Sequence, residues 1–133
     1  MTRTESAEQQ TIFEWSRLNY AKYPELEYLF FAVPNGGSRH KLEAYSLKRQ
    51  GVKSGISDMT IQVARGGYHG LWIELKVGKN RASENQEKFI NEIKKQGYYA
   101  EVIWGAENAI DLIKKYLDGK LKKNSCTILT SCI

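Results

Sequence analysis

The sequence predicts an α/β domain in which helices flank a small mixed β-sheet. Two neighbouring segments, 58–64 and 70–77, alternate apolar and polar residues, and the RGGYHG stretch between them is typical of a hairpin turn. Helical patterns precede and follow this hairpin, so strands and helices are interleaved along the chain. The 133 residues, 41% of them hydrophobic and 26% charged, suit one domain with a real hydrophobic core.

The part of the chain before the hairpin predicts a helix, a strand and a shorter helix. Residues 4–22 have a helical pattern with Thr4 as the N-cap, and Pro24 ends that segment. The apolar run YLFFAV at 28–33 predicts a buried strand. Residues 38–51, with loosely periodic leucines and a tyrosine, predict a short helix.

After the hairpin, the pattern predicts helix, strand, helix. A helix begins at Ser83, runs to about Gln96 and is stopped by Gly97. A strand follows at 98–104. The last helix is amphipathic, with its apolar side formed by Ala109, Ile110, Ile113, Tyr116 and Leu117. The predicted element order is therefore α-β-(α)-β-β-α-β-α.

Composition restricts the kind of protein. We expect one domain over residues 1–117 and an unassigned C-terminal tail over 118–133. Both cysteines, Cys126 and Cys132, lie in that tail and cannot crosslink the domain, which favours a reducing compartment. The N-terminus lacks the apolar core of a signal peptide, and the longest apolar run is far too short to cross a bilayer, so we expect a cytoplasmic protein. The net charge of +5 suits an anionic partner.

One group of charged residues lies unexpectedly in the apolar hairpin. Alternation places Glu74 and Lys76 on the same face of their strand, opposite Leu71, Ile73, Leu75 and Val77. A turn near Gly66 and Gly67 would bring Asp58, at the start of the first strand, beside them. Two adjacent carboxylates repel unless a cation lies between them, and hard oxygen ligands favour Mg²⁺ or Mn²⁺. Such an ion could polarise a phosphodiester and supply an activated water.

A simpler interpretation of these residues stays open. A Glu-x-Lys pattern on a strand is usually a solvated face with a weak ion pair, and an aspartate at a strand start is often a turn residue.

The order of these segments resembles a known nuclease superfamily. Asp58 is followed after fifteen residues by Glu74, Leu75 and Lys76, and then by SENQ, which is similar to the PD-(D/E)xK pattern. More narrowly, VPNGGSRH, GVKSGISD, GGYHGLWIELKVGK and SENQEKFINEIKKQGYYAEVIWG resemble the small, standalone VRR-NUC domain found in phages and bacteria. The resemblance covers about residues 5–117 and implies a restriction-endonuclease-like core. One departure is Ser57, where the family usually has proline.

The resemblance implies a role for each matching position. Asp58, Glu74 and the backbone carbonyl of Leu75 would hold the metal, and Lys76 would be the catalytic lysine. Gln86 and Glu8 would complete the site. Because nearby carboxylates favour a charged lysine, we expect Lys76 to stabilise charge and orient water rather than act as a simple base.

Two of these positions have competing explanations. Ser83 and Gln86 have the spacing of a helix capping box, and Gln86 could serve both purposes. Glu8 shares a helical face with Ile12 and Trp15, where a carboxylate needs a partner, but Glu5 competes for the same role and Glu8 could simply be exposed.

Polar, basic and glycine residues around the site predict a path for DNA. They could follow a phosphate backbone and let the main chain approach it closely. The predicted DNA-binding residues are Asn35, Gly36, Gly37, Arg39, His40, Lys41, Lys48, Arg49, Lys53, Arg65, Lys79, Asn80 and Arg81.

The combined expectation is a Mg²⁺- or Mn²⁺-dependent endonuclease that cuts structured DNA such as flaps, branches or Holliday junctions, in a bacterial or phage-infected cell. A symmetric homodimer is the simplest way for a small chain with one site to cut two strands. Two alternatives are a DNA-binding module that has the fold without catalysis, and a protein-interaction subunit that uses a sheet edge or the tail.

Overall fold

The computed structural model describes residues 4–34 and 41–124, apart from the side chain of Lys41. The elements in chain order are α1 (Glu5–Leu18), α2 (Leu26–Leu29), β1 (Phe30–Ala32), α3 (Lys41–Arg49), β2 (Met59–Ile61), β3 (Leu71–Lys76), α4 (Glu84–Lys95), β4 (Tyr99–Trp104) and α5 (Ala106–Leu117).

The strands form one mixed sheet in the order β1-β2-β3-β4. The β1–β2 and β2–β3 pairs are antiparallel, and the β3–β4 pair is parallel. Parallel neighbours need a crossover, which α4 supplies. The predicted fold class, a small mixed sheet flanked by helices, is confirmed.

A tight turn joins β2 to β3. Gly66 and Gly67 both have positive φ, 62° and 92°, and Arg65 and Tyr68 exchange backbone hydrogen bonds across them. Side-chain-bearing residues rarely adopt two consecutive positive φ values, so glycine suits both positions. A Cβ at Gly66 would also collide with the carbonyl oxygen of Leu121. The turn therefore determines the hairpin register, with Met59 opposite Ile73.

The two faces of the sheet are covered by different helices. Helices α1 and α5 pack together over one face, where Ile12, Ile73 and Ile113 are among the buried residues. On this side the buried hydroxyl of Tyr116 donates a 2.6 Å hydrogen bond to the carbonyl of Val63. The other face carries Trp72, which packs edge-on against Phe89 of α4 at 5.1 Å. Glu74 and Lys76 project from this second face.

Several predicted boundaries differ from the structure. Thr4 is the N-cap of α1, accepting a hydrogen bond from Ala7, but the helix ends at Leu18 rather than near residue 22. The predicted strand at 28–33 begins as the helical turn α2, and only Phe30–Ala32 is extended. An apolar run of this length fits either structure, so its pattern could not separate them.

The first residues of the predicted tail lie against the hairpin turn. Lys123 donates its backbone N–H to the Gly66 carbonyl, and Leu121 packs against the core. Residues 125–133 lie outside the described part. Within the described ranges no helix is both long and apolar enough to cross a membrane.

Candidate active site

The site lies at the open end of the β2–β3 hairpin, away from the glycine turn. The strand ladder ends with Met59 opposite Ile73. Asp58 immediately precedes Met59, and its Oδ2 accepts a 2.7 Å hydrogen bond from the backbone N–H of Leu75. The aspartate side chain thus takes the place of a backbone carbonyl as the hydrogen-bond acceptor, and it lies beside Glu74. The hairpin brings the two carboxylates together, as predicted.

Glu74 is almost completely buried, with 1% of its surface exposed. Neither carboxyl oxygen has a hydrogen-bond partner within the described residues. Burial, followed by the Asp58 carboxyl, raises the pKa of Glu74 to about 9, with Lys76 opposing and Glu5 adding to the rise. A buried carboxyl without hydrogen bonds is costly, because its desolvation is not fully compensated. A bound cation would compensate the desolvation of this carboxyl.

Lys76 lies on the same face, two residues further along β3, and is 8% exposed. Its carbonyl accepts a 3.0 Å hydrogen bond from the N–H of Gly105, beyond the end of β4. Lysine and glutamate are rarely buried without a partner. The strand face that carries them is therefore not solvated, contrary to the simpler interpretation.

The donor set fits a hard cation. Successive carbonyls of a strand point to opposite neighbours, and that of Lys76 points to β4, so that of Leu75 points towards Asp58. Two carboxylates and one carbonyl, completed by water or phosphate oxygens, suit Mg²⁺ or Mn²⁺. Among the described residues, no three His, Cys, Asp or Glu side chains gather in metal-binding geometry. From the described ranges, a third ligand would therefore be a backbone oxygen, with solvent or substrate completing the set.

A groove of about 750 Å³ reaches Asp58, but neither Glu74 nor Lys76 lines it. It runs between α1 and the end of β1, and Asp58 forms part of its wall together with Ser6, Gln9 and Pro34. Its lining is largely polar on the α1 side, which suits a hydrated, charged substrate.

Comparison with known proteins agrees with this geometry. The family model described as VRR-NUC domain matches residues 3–107. The chain belongs to the VRR-NUC domain family. A solved structure described as a VRR_NUC domain protein is 35% identical, with a TM-score of 0.75, and the match covers 89% of this chain and 91% of that one. None of the curated proteins matches the chain.

VRR-NUC is a nuclease-type domain family, so the chain is a nuclease-type domain.

Helix α1 supplies two acidic residues near the site, and the two have different surroundings. Glu5 is close enough to raise the pKa of Glu74. Glu8 lies at the N-terminus of α5, with its Oε1 4.0 Å from a Cβ placed at Gly105. A carboxylate there interacts favourably with the helix dipole. Gly105 also donates its N–H to the Lys76 carbonyl, so Glu8 lies near the end of β3 as well. Which of Glu5 and Glu8 serves the site stays a prediction.

Gln86 forms the capping box that its spacing predicts. Its Oε1 accepts from the N–H of Ser83 at 2.8 Å, and the Ser83 hydroxyl accepts from its N–H at 3.2 Å. These bonds hold the start of α4 in the VRR-NUC domain. A role of Gln86 towards substrate stays a prediction.

Ser57, the departure from the usual VRR-NUC proline, is completely buried. Its hydroxyl has no hydrogen-bond partner in the part of the chain that the structure describes. It directly precedes Asp58, just before β2 begins.

The predicted DNA-binding residues divide into three groups. Asn35, Gly36, Gly37, Arg39, His40 and the side chain of Lys41 lie outside the described residues. On the described surface, the exposed members are Lys48, Arg49, Lys53, Lys79, Asn80 and Arg81. Arg65 is a correction: it lies beside the glycine turn, at the far end of the hairpin, and pairs with Glu25 at 3.1 Å and with the Leu117 carbonyl. These interactions make it a structural residue.

One residue that sequence reasoning missed stands at this VRR-NUC site. Trp104 is the parallel-strand partner of Lys76, so both project from the same face. The local pattern shows only a tryptophan at a strand end. The pairing of β4 with β3 depends on the crossover through α4, and no local signal predicts its register.

Proposed function

We propose that this chain is a metal-dependent endonuclease that hydrolyses DNA phosphodiester bonds, with Mg²⁺ or Mn²⁺ as cofactor. The observation that carries the proposal is the buried Glu74 carboxyl, whose oxygens accept no hydrogen bond within the described residues and which lies beside Asp58. A fold that only bound DNA would gain nothing from burying this group, because its desolvation weakens the folded state.

The acidic residues of the site are proposed to bind the cation. Asp58, just before β2, and Glu74 of β3 would hold the cation, together with the Leu75 carbonyl. When bound, the cation would polarise the phosphodiester and activate a water for attack. Asp58 also keeps its hydrogen bond to Leu75, which fixes the carboxylate against β3. Glu5 adds negative charge at the edge of the site, which strengthens cation binding.

Lys76 is proposed to stabilise the transition state. It stands two residues from Glu74 on the same face and is nearly buried, so its charge acts in a medium of low dielectric. There it neutralises charge developing on the phosphate and orients the attacking water. Gln86, at the first turn of α4, is a candidate to hydrogen-bond substrate through the amide nitrogen, which the capping box does not use.

The substrate is proposed to be structured DNA, such as flaps and branched junctions. Basic residues are exposed on two segments, Lys48, Arg49 and Lys53 in and after α3, and Lys79 and Arg81 after β3. Two separate basic segments suit two backbone strands that diverge.

A homodimer is proposed as the assembly, because paired sites would cut two strands of a junction. Strand β1 lies at an edge of the sheet and exposes Phe31, beside Leu29 of α2. An apolar strand edge is a ready template for pairing with a second copy. Light scattering tests this: a dimer mass that becomes a monomer mass in Phe31→Lys supports the edge, and a monomer mass for the unaltered protein rejects it.

A cleavage panel tests the enzymatic proposal. Continuous duplex, nicked, flap and four-way DNA are incubated with the protein in Mg²⁺, Mn²⁺ or EDTA. We expect cleavage of branched substrates only with the metals, and none by Glu74→Gln. The matched control is Glu27→Gln, an exposed position on α2, which should cleave normally. Metal-dependent binding without any cleavage would reject the enzyme.

A further inference from the structure

Trp104 stands at the edge of the proposed active site. It ends β4, and its Cα is the register partner of Lys76 in the parallel β3–β4 pair. Residues in register on adjacent strands project from the same face. The indole is therefore on the face that carries Glu74 and Lys76.

The side chain is held in place and still open to solvent. Its Nε1 donates a 2.8 Å hydrogen bond to the backbone carbonyl of Asn80, while 42% of the residue remains exposed. The other two tryptophans are engaged by the interior. Trp72 packs against Phe89, and Trp15 packs against the core. An indole that is oriented by its polar edge but not covered loses little entropy when it binds a flat partner.

The segment that holds the indole is basic. Asn80 lies between Lys79 and Arg81, and both are exposed. Aromatic rings next to cationic side chains are the usual combination for binding single-stranded nucleic acid, with bases stacked on the rings and phosphates paired with the cations.

We propose that Trp104 is a stacking platform for one unpaired nucleobase beside the scissile phosphate, and that it gives the site its preference for DNA containing unpaired nucleotides. The inference rests on the proposed nuclease function and specifies its substrate. A base inside continuous duplex is already stacked on both neighbours and cannot offer a free face. A base at a flap or branch can leave the stack at little cost.

The experiment pairs a protein change with a DNA change. The cut position on a flap substrate is mapped first, and single abasic nucleotides are then placed on either side of it. The proteins are the unaltered chain, Trp104→Ala, Trp104→Phe and, as a matched control, Tyr98→Ala. Tyr98 precedes the other end of β4 and packs against His69. The measured quantity is kcat/KM for flap and for continuous duplex.

We expect Trp104→Ala to lower flap cleavage roughly tenfold, the range that loss of one stacked base implies. One abasic position should lower cleavage by the unaltered protein to a similar extent and have no further effect in Trp104→Ala. Trp104→Phe should retain most activity, and duplex cleavage should not change. Independent losses from the two changes, or equal losses on flap and duplex, would overturn the platform.

A binding measurement separates this inference from the catalytic proposal. In EDTA, a single-stranded oligonucleotide should quench tryptophan fluorescence in the unaltered protein and do so much less in Trp104→Phe. Such quenching without any cleavage in metal would reject the endonuclease and support the platform. Cleavage with no difference between the two proteins in quenching would support the endonuclease and reject the platform.

Discussion

Asp58 and Leu75 are joined by a 2.7 Å hydrogen bond from the Leu75 N–H to the Asp58 carboxylate. The bond crosses the hairpin one position beyond the last paired residues of β2 and β3. It anchors one carboxylate against the strand that carries the other, and leaves Glu74 buried between Asp58 and Lys76. The chemistry proposed for the site depends on this anchored pair.

Asp58→Asn should abolish cleavage while the fold persists. The asparagine oxygen can still accept the Leu75 hydrogen bond, but the variant lacks a charged metal ligand. Losing several kcal/mol of transition-state stabilisation lowers the rate at least about 100-fold. Single-turnover cleavage in Mn²⁺ and a thermal melt measure both effects, with the exposed Asp111→Asn as control. A well-folded Asp58→Asn protein that cleaves normally would remove Asp58 from the site.

Glu74 and Lys76 should separate metal binding from catalysis. Glu74→Ala is expected to lose both Mn²⁺ binding and cleavage, because a ligand is gone. Lys76→Ala should keep Mn²⁺ binding and lose cleavage, because only charge stabilisation is gone. Calorimetric titration with Mn²⁺, beside cleavage assays, measures the two properties. If Glu74→Ala bound Mn²⁺ as tightly as the unaltered protein, Glu74 would not be a ligand.

Stability without metal should depend on pH through Glu74. Burial, and then Asp58, raises the pKa of this carboxyl from 4.5 to about 9 in the folded protein. The folded state thus keeps a proton that the unfolded chain releases. Its contribution to stability is complete below the unfolded pKa and is lost as pH rises towards about 9, by at most about 1.4 kcal/mol per pH unit. Glu74→Gln should lack this fall.

Urea unfolding in EDTA at about pH 5 and about pH 8.5 measures this dependence. The free energy of unfolding of Glu74→Gln should exceed that of the unaltered protein by more at the higher pH. The control is Glu27→Gln on the exposed side of α2, which should follow the unaltered protein. Parallel pH profiles for Glu74→Gln and the unaltered protein would show that Glu74 titrates normally.

DNA binding should weaken steeply with salt, because released counterions drive it. Lys79→Glu combined with Arg81→Glu should lower affinity and reduce the salt slope by about one for each phosphate that no longer pairs with a cationic side chain. Lys120→Glu, exposed after α5, is the control and should have little effect. Titrations of labelled DNA with Asp58→Asn protein at several salt concentrations measure the slope. An unchanged slope would mean that the segment after β3 does not touch phosphate.

Arg65→Ala should destabilise the protein without weakening its binding to DNA. Arg65 is 33% exposed, and its bonds to Glu25 and to the Leu117 carbonyl join the hairpin to α5. Their removal should cost about 1 kcal/mol. Chemical denaturation and DNA titration test the two expectations. A stable Arg65→Ala protein with weakened DNA binding would show that Arg65 contributes to DNA binding.

Local patterns predicted the centre of the fold well, for physical reasons that can be named. Alternation in β3 is unambiguous because Leu71, Ile73 and Leu75 all enter the core, and two consecutive glycines favour a tight turn. The capping box at Ser83 is equally local. Each of these signals depends only on residues that are close together in the sequence.

Local patterns could not predict features that depend on tertiary packing. Which of Glu5 and Glu8 lies nearer to Glu74 depends on how α1 rotates as Ile12 enters the core. The position of Trp104 beside Lys76 depends on the crossover register. The burial of Glu74 itself could not be predicted, because a glutamate on a polar strand face is usually solvated.

The central claim is that Asp58 and Glu74 together hold a divalent cation. Anomalous diffraction from crystals soaked in Mn²⁺ tests it most directly. We expect one strong peak within ligand distance of both carboxylates and of the Leu75 carbonyl, and no such peak in Glu74→Gln crystals. A site between Asp58 and Glu74 that stays empty at saturating Mn²⁺, or a peak held without either carboxylate, would contradict the account.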